Sequence, residues 1–221
     1  MYGAGNYSDV SFQQKRKNRN PEMNEYELID MIRMRTEMYT GHSSPTHLHS
    51  FLSGYFFAKT HEAIKEESPK FHRFHDWVAN KFDYYESTSG WAYMIEDQRE
   101  DKKEALYLFY ELLDEYRGIK HQQLANVEFK HEEKTDRTWR GYSRMQKVRG
   151  TFKAIPKPLP NYLTIRRIKL EEDWFQMVAK NDKDEILFLW SSLELEKVFL
   201  RAKEIFGIEK TEWIVTKENG S

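Results

Sequence analysis

Apolar positions recur at steps of three and four through the first half of the chain, then at strand-like spacing beyond a cluster of prolines. Asn24 is placed to cap a helix reaching about Arg35, with Tyr26, Leu28, Ile29 and Ile32 inward. The chain then turns at Gly41. Ser44 followed by Pro45 marks the next helix start, because proline loses nothing where the backbone N–H is orphaned anyway. Leu48, Phe51, Leu52 and Tyr55 give that helix one buried face, and it is predicted to run to about Glu66. Ser68 and Pro69 repeat the start signal ahead of Phe71, Phe74, Val78 and Phe82. A polar link from Tyr84 to Gly90 leads to a short helix from Trp91 to Ile95.

The most regular helix is predicted over Lys102 to Arg117. Ala105, Leu108, Phe109, Leu112, Leu113 and Tyr116 form its stripe, and Gly118 closes it. Glu104, Glu111, Asp114 and Glu115 on its other side read as a solvated acidic face. From Ile119 to Lys157 the periodicity fades. Pro156, Pro158 and Pro160 resist helix and mark a boundary.

Strand patterns follow over Tyr162 to Leu170, Trp174 to Lys180 and Glu185 to Trp190, the last two joined by the polar turn at 181–184. Ser191 and Glu194 fit a capping box for a helix with Leu195, Val198, Phe199, Ala202, Ile205 and Phe206 inward, ended by Gly207. Thr211 to Thr216 returns as a last strand. The expected fold class is α+β: an α-helical first half, then a small, mostly antiparallel sheet with one covering helix. The expected division is a disordered basic arm over 1–22, a helical region over 23–125, an irregular basic and proline-rich connector over 126–160, and an α+β region over 161–217.

Composition narrows the chemistry. The 221 residues are 39% apolar and 32% charged, a globular balance, and the net charge of −1 creates no global field for nucleic acid. No cysteine is present, which excludes disulfides, thiolate metal sites and cysteine nucleophiles. No apolar run approaches the roughly 20 residues of a membrane span, and Met1 to Asn20 has no apolar signal region. A cytoplasmic protein without a membrane partner or cofactor is the expectation.

Ile32 to Gly41 (Ile-Arg-Met-Arg-Thr-Glu-Met-Tyr-Thr-Gly) resembles the Ile-Arg-Lys-Arg-Pro-Gly-Met-Tyr-Ile-Gly segment of gyrase-type ATPase domains at six of ten positions. That family needs a Glu and, four residues on, an Asn in the next helix, and later Asp-x-Gly-x-Gly. Here the helix reads Phe51-Leu52-Ser53-Gly54-Tyr55-Phe56-Phe57 and no such glycine motif occurs, so nothing would hold magnesium or activate water.

The Met38-Tyr39-Thr40-Gly41 turn, the Phe51-to-Tyr55 helix, Thr88-Ser89-Gly90-Trp91 and Leu108 to Glu115 resemble segments of small uncharacterised bacterial proteins, some of them similar to immunity or antitoxin partners of toxins. The resemblance covers about residues 25–117. It implies a non-catalytic protein that binds, and neutralises, a partner protein. Aromatic and histidine side chains at polar turns are the partner-binding candidates: Tyr84, Tyr85, Trp91, His42 and His47. A Trp91 that plugs the core is the competing reading.

Two alternatives come from other classes. Lys130 to Lys153 carries eight Lys or Arg against three Asp or Glu. There Arg137, Trp139, Arg140, Tyr142 and Arg144 have the composition of a single-stranded nucleic-acid contact. The same segment could dock on the acidic helix, since residues 96–117 hold eight acidic against four basic side chains. The histidines suggest a metal hydrolase, His72 and His75 being three apart beside Asp76. However, His47 and His49 diverge on a helix and no His-Glu-x-x-His motif occurs, so no metal ligands are assigned. Magnesium-ATP is expected to leave the melting temperature unchanged in a thermal-shift titration; a saturable rise would restore the ATPase reading.

Overall fold

Asn24 opens the first helix with both halves of a capping box. Its Oδ1 accepts from the Glu27 N–H at 2.8 Å, and Glu27 Oε2 accepts from the Asn24 N–H at 2.8 Å. In the computed structural model, which describes residues 23–59, 68–84, 88, 90–129, 143–148, 151–156, 160–170 and 172–216, helix α1 spans Glu25–Arg33. It stops two residues before the predicted end. Met34 and Arg35 turn the chain into the five-residue α2 (Thr36–Thr40), and Gly41 closes that helix at φ 75°, in the left-handed region that favours glycine.

Ser44 starts α3 (Pro45–Lys59) as its pattern predicts: the Ser44 Oγ accepts from the His47 N–H at 3.2 Å. The predicted continuation to Glu66 lies outside the described residues. The start signal at Ser68 and Pro69 is overturned. A 3-10 turn, Phe71–Arg73, intervenes, and α4 spans Phe74–Lys81. Helix α5 covers Gly90–Glu96. Helix α6 covers Lys102–Arg117 as predicted, with Asp101 Oδ1 accepting from the N–H groups of Lys103 and Glu104 at 2.8 and 3.1 Å.

Aromatic packing unites these helices. Phe74, Trp91 and Phe109 are buried; the Trp91 and Phe109 rings stack at 4.8 Å, and Phe74 meets Phe109 edge-on at 5.7 Å.

The strands of the main sheet are β1 (His121–Glu128), β4 (Tyr162–Lys169), β5 (Asp173–Lys180), β6 (Ile186–Ser192) and β7 (Ile214–Val215). They lie in the order β6-β5-β4-β1-β7, with every pair antiparallel. A separate hairpin pairs β2 (Ser143–Val148) with β3 (Thr151–Pro156). Helix α7 (Leu195–Phe206) covers one face of the sheet, setting Val198, Ala202, Ile205 and Phe206 against Leu163, Ile165, Met177 and Phe188. The other face meets α6, where Tyr107 packs on Val178 and Ile186. The fold is α+β, with the sheet between the helical layer and α7.

Three further expectations are corrected. Strand β1 and the β2–β3 hairpin occupy sequence read as the end of the helical region and an irregular connector. The pattern of β1 misleads because only Ala125 and Val127 are buried in a strand rich in amides. The capping box at Ser191 and Glu194 does not form; Ser192 Oγ accepts from the Glu194 N–H at 3.1 Å instead. Finally, Asp114 is not on a solvated face but 1% exposed.

Leu112 lies in the helical core at 2% exposure. Leu112→Ala should lower unfolding free energy by about 2–5 kcal/mol in a urea titration. A loss below about 0.5 kcal/mol would mean that this face is not core.

Candidate functional site

The charged side of α6 is held by residues from both halves of the chain. Arg33, the last residue of α1, follows Ile29 and Ile32 into the interior. Its Nη2 donates to Asp114 Oδ1 at 2.6 Å and to the Tyr110 carbonyl at 3.0 Å, and its guanidinium lies 4.6 Å from the centre of the Tyr110 ring. His121, at the start of β1, places Nε2 2.9 Å from the second Asp114 oxygen. One helical turn before Asp114, Glu111 accepts two hydrogen bonds from Arg166 of β4, one of them at 2.9 Å. Arg166 Nε also donates to Gln176 at 3.0 Å, and Gln176 donates to Ser191 Oγ at 3.1 Å. A polar relay therefore runs from α1 through α6 to β4, β5 and β6.

Burial acts on these acids in different ways. By itself it would raise the Asp114 carboxyl, but Arg33 and His121 outweigh it and hold the group below its ordinary range. At Asp30 burial wins: the carboxyl lies above its ordinary range despite Arg33 and Arg117, whose Nη1 is 2.9 Å away. The Tyr110 hydroxyl is pushed up to about 12 by burial, although Thr36 at 2.8 Å and the Arg33 charge oppose this. It is a neutral hydrogen-bonding group near pH 7 rather than a base.

Above this relay lies a cleft of about 400 Å³ between the α1–α2 junction, the first half of α6 and β6. Buried Leu106, Tyr107 and Tyr110 line it beside Trp190 and Ser191, and Met34 and Met38 stand at its rim. The cleft brings together Arg33, Arg35 and Lys103 with a single carboxylate, Glu37, which accepts from Ser43 at 2.7 Å. Arg33 carries two buried donors, Nε and Nη1, with no hydrogen-bond partner among the described residues. The arrangement supplies the cationic Arg35 and adaptable apolar surface from Met34 and Met38, the Arg33 charge being held by Asp114. It is suited to binding.

The residues proposed from sequence lie elsewhere, or do not share one surface. Trp91 is buried against Phe71, Phe74 and Phe109, so its assignment to a contact surface is corrected: the ring fills the helical core. Tyr84 is half-buried and donates from its hydroxyl to Asp97 at 2.5 Å. His42 and His47 do come together, with ring centres 4.5 Å apart, beside the loop that carries Ser43 to the cleft. His47 Nδ1 lies 2.7 Å from Ser44 Oγ, and His49 packs on Trp91 instead. Among the described residues no three His, Asp or Glu side chains converge as metal ligands.

Tyr85, Arg137, Trp139, Arg140 and Tyr142 lie outside the described residues. Arg144 is on β2, opposite Ile155. Most of the basic segment expected to dock on the acidic helix, residues 130–142, lies outside the described residues. Among the described residues, Arg33 and His121 pair with Asp114, Arg166 with Glu111, and Lys81 with Glu115 at 2.5 Å. Arg33 was legible as part of the α1 pattern, but no periodic signal separated it from the exposed Arg35 two positions on.

Asp114→Asn should cost about 3–5 kcal/mol at neutral pH, since it strands the buried Arg33 charge, whereas the double change Arg33→Met with Asp114→Leu should recover most of that loss. The folded Asp114 carboxyl titrates below its unfolded value of about 3.9. Its contribution is therefore present above that pH and disappears as pH falls through the folded value. Urea unfolding across pH 2–7 should show Asp114→Asn losing less stability on acidification than the parent. Compared with protein-family models, with curated proteins and with solved structures, the chain finds no match.

Proposed function

We propose that this chain is a non-catalytic protein-binding protein, and that its partner docks over the cleft between the α1–α2 junction and β6. The observation that carries the reading is exposed apolar surface beside an edge strand. Met34 is 40% and Met38 62% exposed, and β6 ends the sheet with β5 on one side and no strand on the other among the described residues. Methionines are unbranched and polarisable, so they re-pack against partners of irregular shape. An edge strand offers a row of N–H and C=O groups that soluble proteins usually cover or disrupt. The resemblance over residues 25–117 implies the same class of activity, neutralisation of a partner.

The change Met34→Glu with Met38→Glu removes that surface without touching the core. It should leave the melting temperature within about 2 °C of the parent, since surface changes are generally within about 0.5 kcal/mol. It should also abolish the complex that the untagged parent chain forms in its native cells, read as the shift in native mass on size-exclusion chromatography. A stable variant whose native mass equals that of the parent would move the partner surface away from the cleft.

A further inference from the structure

We infer that the helical layer and the sheet are two units latched by a polar seam, and that they swing apart intact about the connector at 118–120. The inference is independent of the partner-binding reading.

The two faces of the sheet are built differently. Residues directly opposite on antiparallel strands share a face. On the α7 side, Ala125 pairs with Ile165 and Ile165 with Met177, and with Leu163 and Phe188 they form one apolar core with the helix. On the α6 side, Arg166 pairs with Gln176 and Gln176 with Ser191, so a polar row crosses three strands. Apolar contact beside that row comes from Val178, Ile186 and half-buried Leu189, which gather with Tyr107, while Ile168 is buried two residues beyond Arg166. The helical core around Phe74, Trp91 and Phe109 is a separate cluster. Each layer therefore holds its own core, and a small cluster joins them.

The seam is also narrow. Successive α-helical residues are about 100° apart, which sets Tyr107 between Leu106 and Tyr110 on one flank of α6 and Glu104, Leu108 and Glu111 on the other. The first flank borders the cleft of about 400 Å³. The second borders a gap of about 180 Å³ that reaches Lys180 and Ile186 of the sheet. Across the seam Glu111 accepts from Arg166 at 2.9 Å, His121 Nε2 lies 2.9 Å from Asp114, and Arg99 Nη1 lies 3.7 Å from Glu185. Ion pairs taken out of water contribute little net free energy, because desolvation offsets their attraction. Units whose interface is not large and apolar move relative to one another by default. The chain passes from α6 to β1 at 118–120, outside both the helix and the strand ladder, where dihedral changes swing the layers without unfolding either.

The full chain has no cysteine, so one introduced thiol reports on its own surroundings. Val178→Cys and Ile186→Cys each place a thiol in the seam. Ala105→Cys and Ala202→Cys place one in the helical core and in the sheet core, where both alanines are 0% exposed. Without denaturant, both seam thiols should react with a disulfide reagent at least about tenfold faster than both core thiols, because the seam opens while the layers stay folded. Leu52→Ala, in the helical core, should speed the labelling of Ala105→Cys and leave that of Val178→Cys unchanged. That insensitivity separates seam opening from unfolding hastened by the new cysteine itself. Glu111→Gln, which weakens the latch, should speed both seam thiols severalfold. Seam and core thiols that react at one rate overturn the inference. So does an acceleration by Leu52→Ala that Val178→Cys and Ala105→Cys share equally, since global unfolding is then what exposes the seam. Seam thiols unmoved by Glu111→Gln overturn it as well, because the polar tie then holds nothing shut.

Discussion

A charge that cannot leave the interior organises this molecule. Arg33 sits at the end of a helix whose neighbouring residues are core, so its guanidinium is carried inside with them. Removing such a group from water is expensive unless its partner is well placed. Asp114 meets that condition from the middle of α6, and His121 completes the arrangement from the first strand. The pair thereby fixes the rotation of α6 about its own axis. One side of the helix must receive Phe74 and Trp91, and the acids on the other must reach the sheet. A rotation by one residue, about 100° in an α-helix, would carry Asp114 to the exposed position that Glu115 holds and set Leu113 against the Arg33 guanidinium.

The cleft is a by-product of that constraint. Because α1 ends where Arg33 turns inward, Met34 and Arg35 break the helix and, with Glu37 and Met38 of α2, stand out as an exposed shoulder. The sheet is drawn to α6 through Glu111 and Arg166 at its centre, while β6 lies at the edge, so shoulder and strand stand apart over the first turns of the helix. Chemistry that interior packing does not use collects there: the exposed side chains of Met34 and Met38, and a side of β6 with no neighbouring strand among the described residues.

Much of the fold was legible where one face of an element decides its burial. Helix α6 has an unbroken apolar stripe between Asp101 and Gly118, and its bounds follow from the sequence. The β4-β5-β6-α7-β7 succession was readable for the same reason, as alternation and helical spacing change abruptly at 181–184 and 191–194. Strand β1 was not, because amide side chains tolerated at the sheet's middle look like loop sequence. The site was largely hidden. Asp114 and Arg33 are indistinguishable in sequence from solvated charges, and pairing between residues 81 positions apart leaves no local trace. Nor does periodicity say which strand ends a sheet. Trp91 shows the reverse limit: polar neighbours on one side suggested exposure, but its own helix turns it into the core.

The two-residue strand β7 joins the sheet through β1, pairing Ala125 with Val215 and Asn126 with Ile214. Some ninety residues separate these partners, so closing that edge is among the most entropically demanding steps in the fold. During synthesis, the helical layer and the strands β4, β5 and β6 all emerge ahead of β7, whereas the second side of β1 waits for Ile214 and Val215. A nascent chain halted before Ile214 therefore presents a bare strand edge beside an already assembled helical layer, the form in which partly made proteins recruit chaperones or each other.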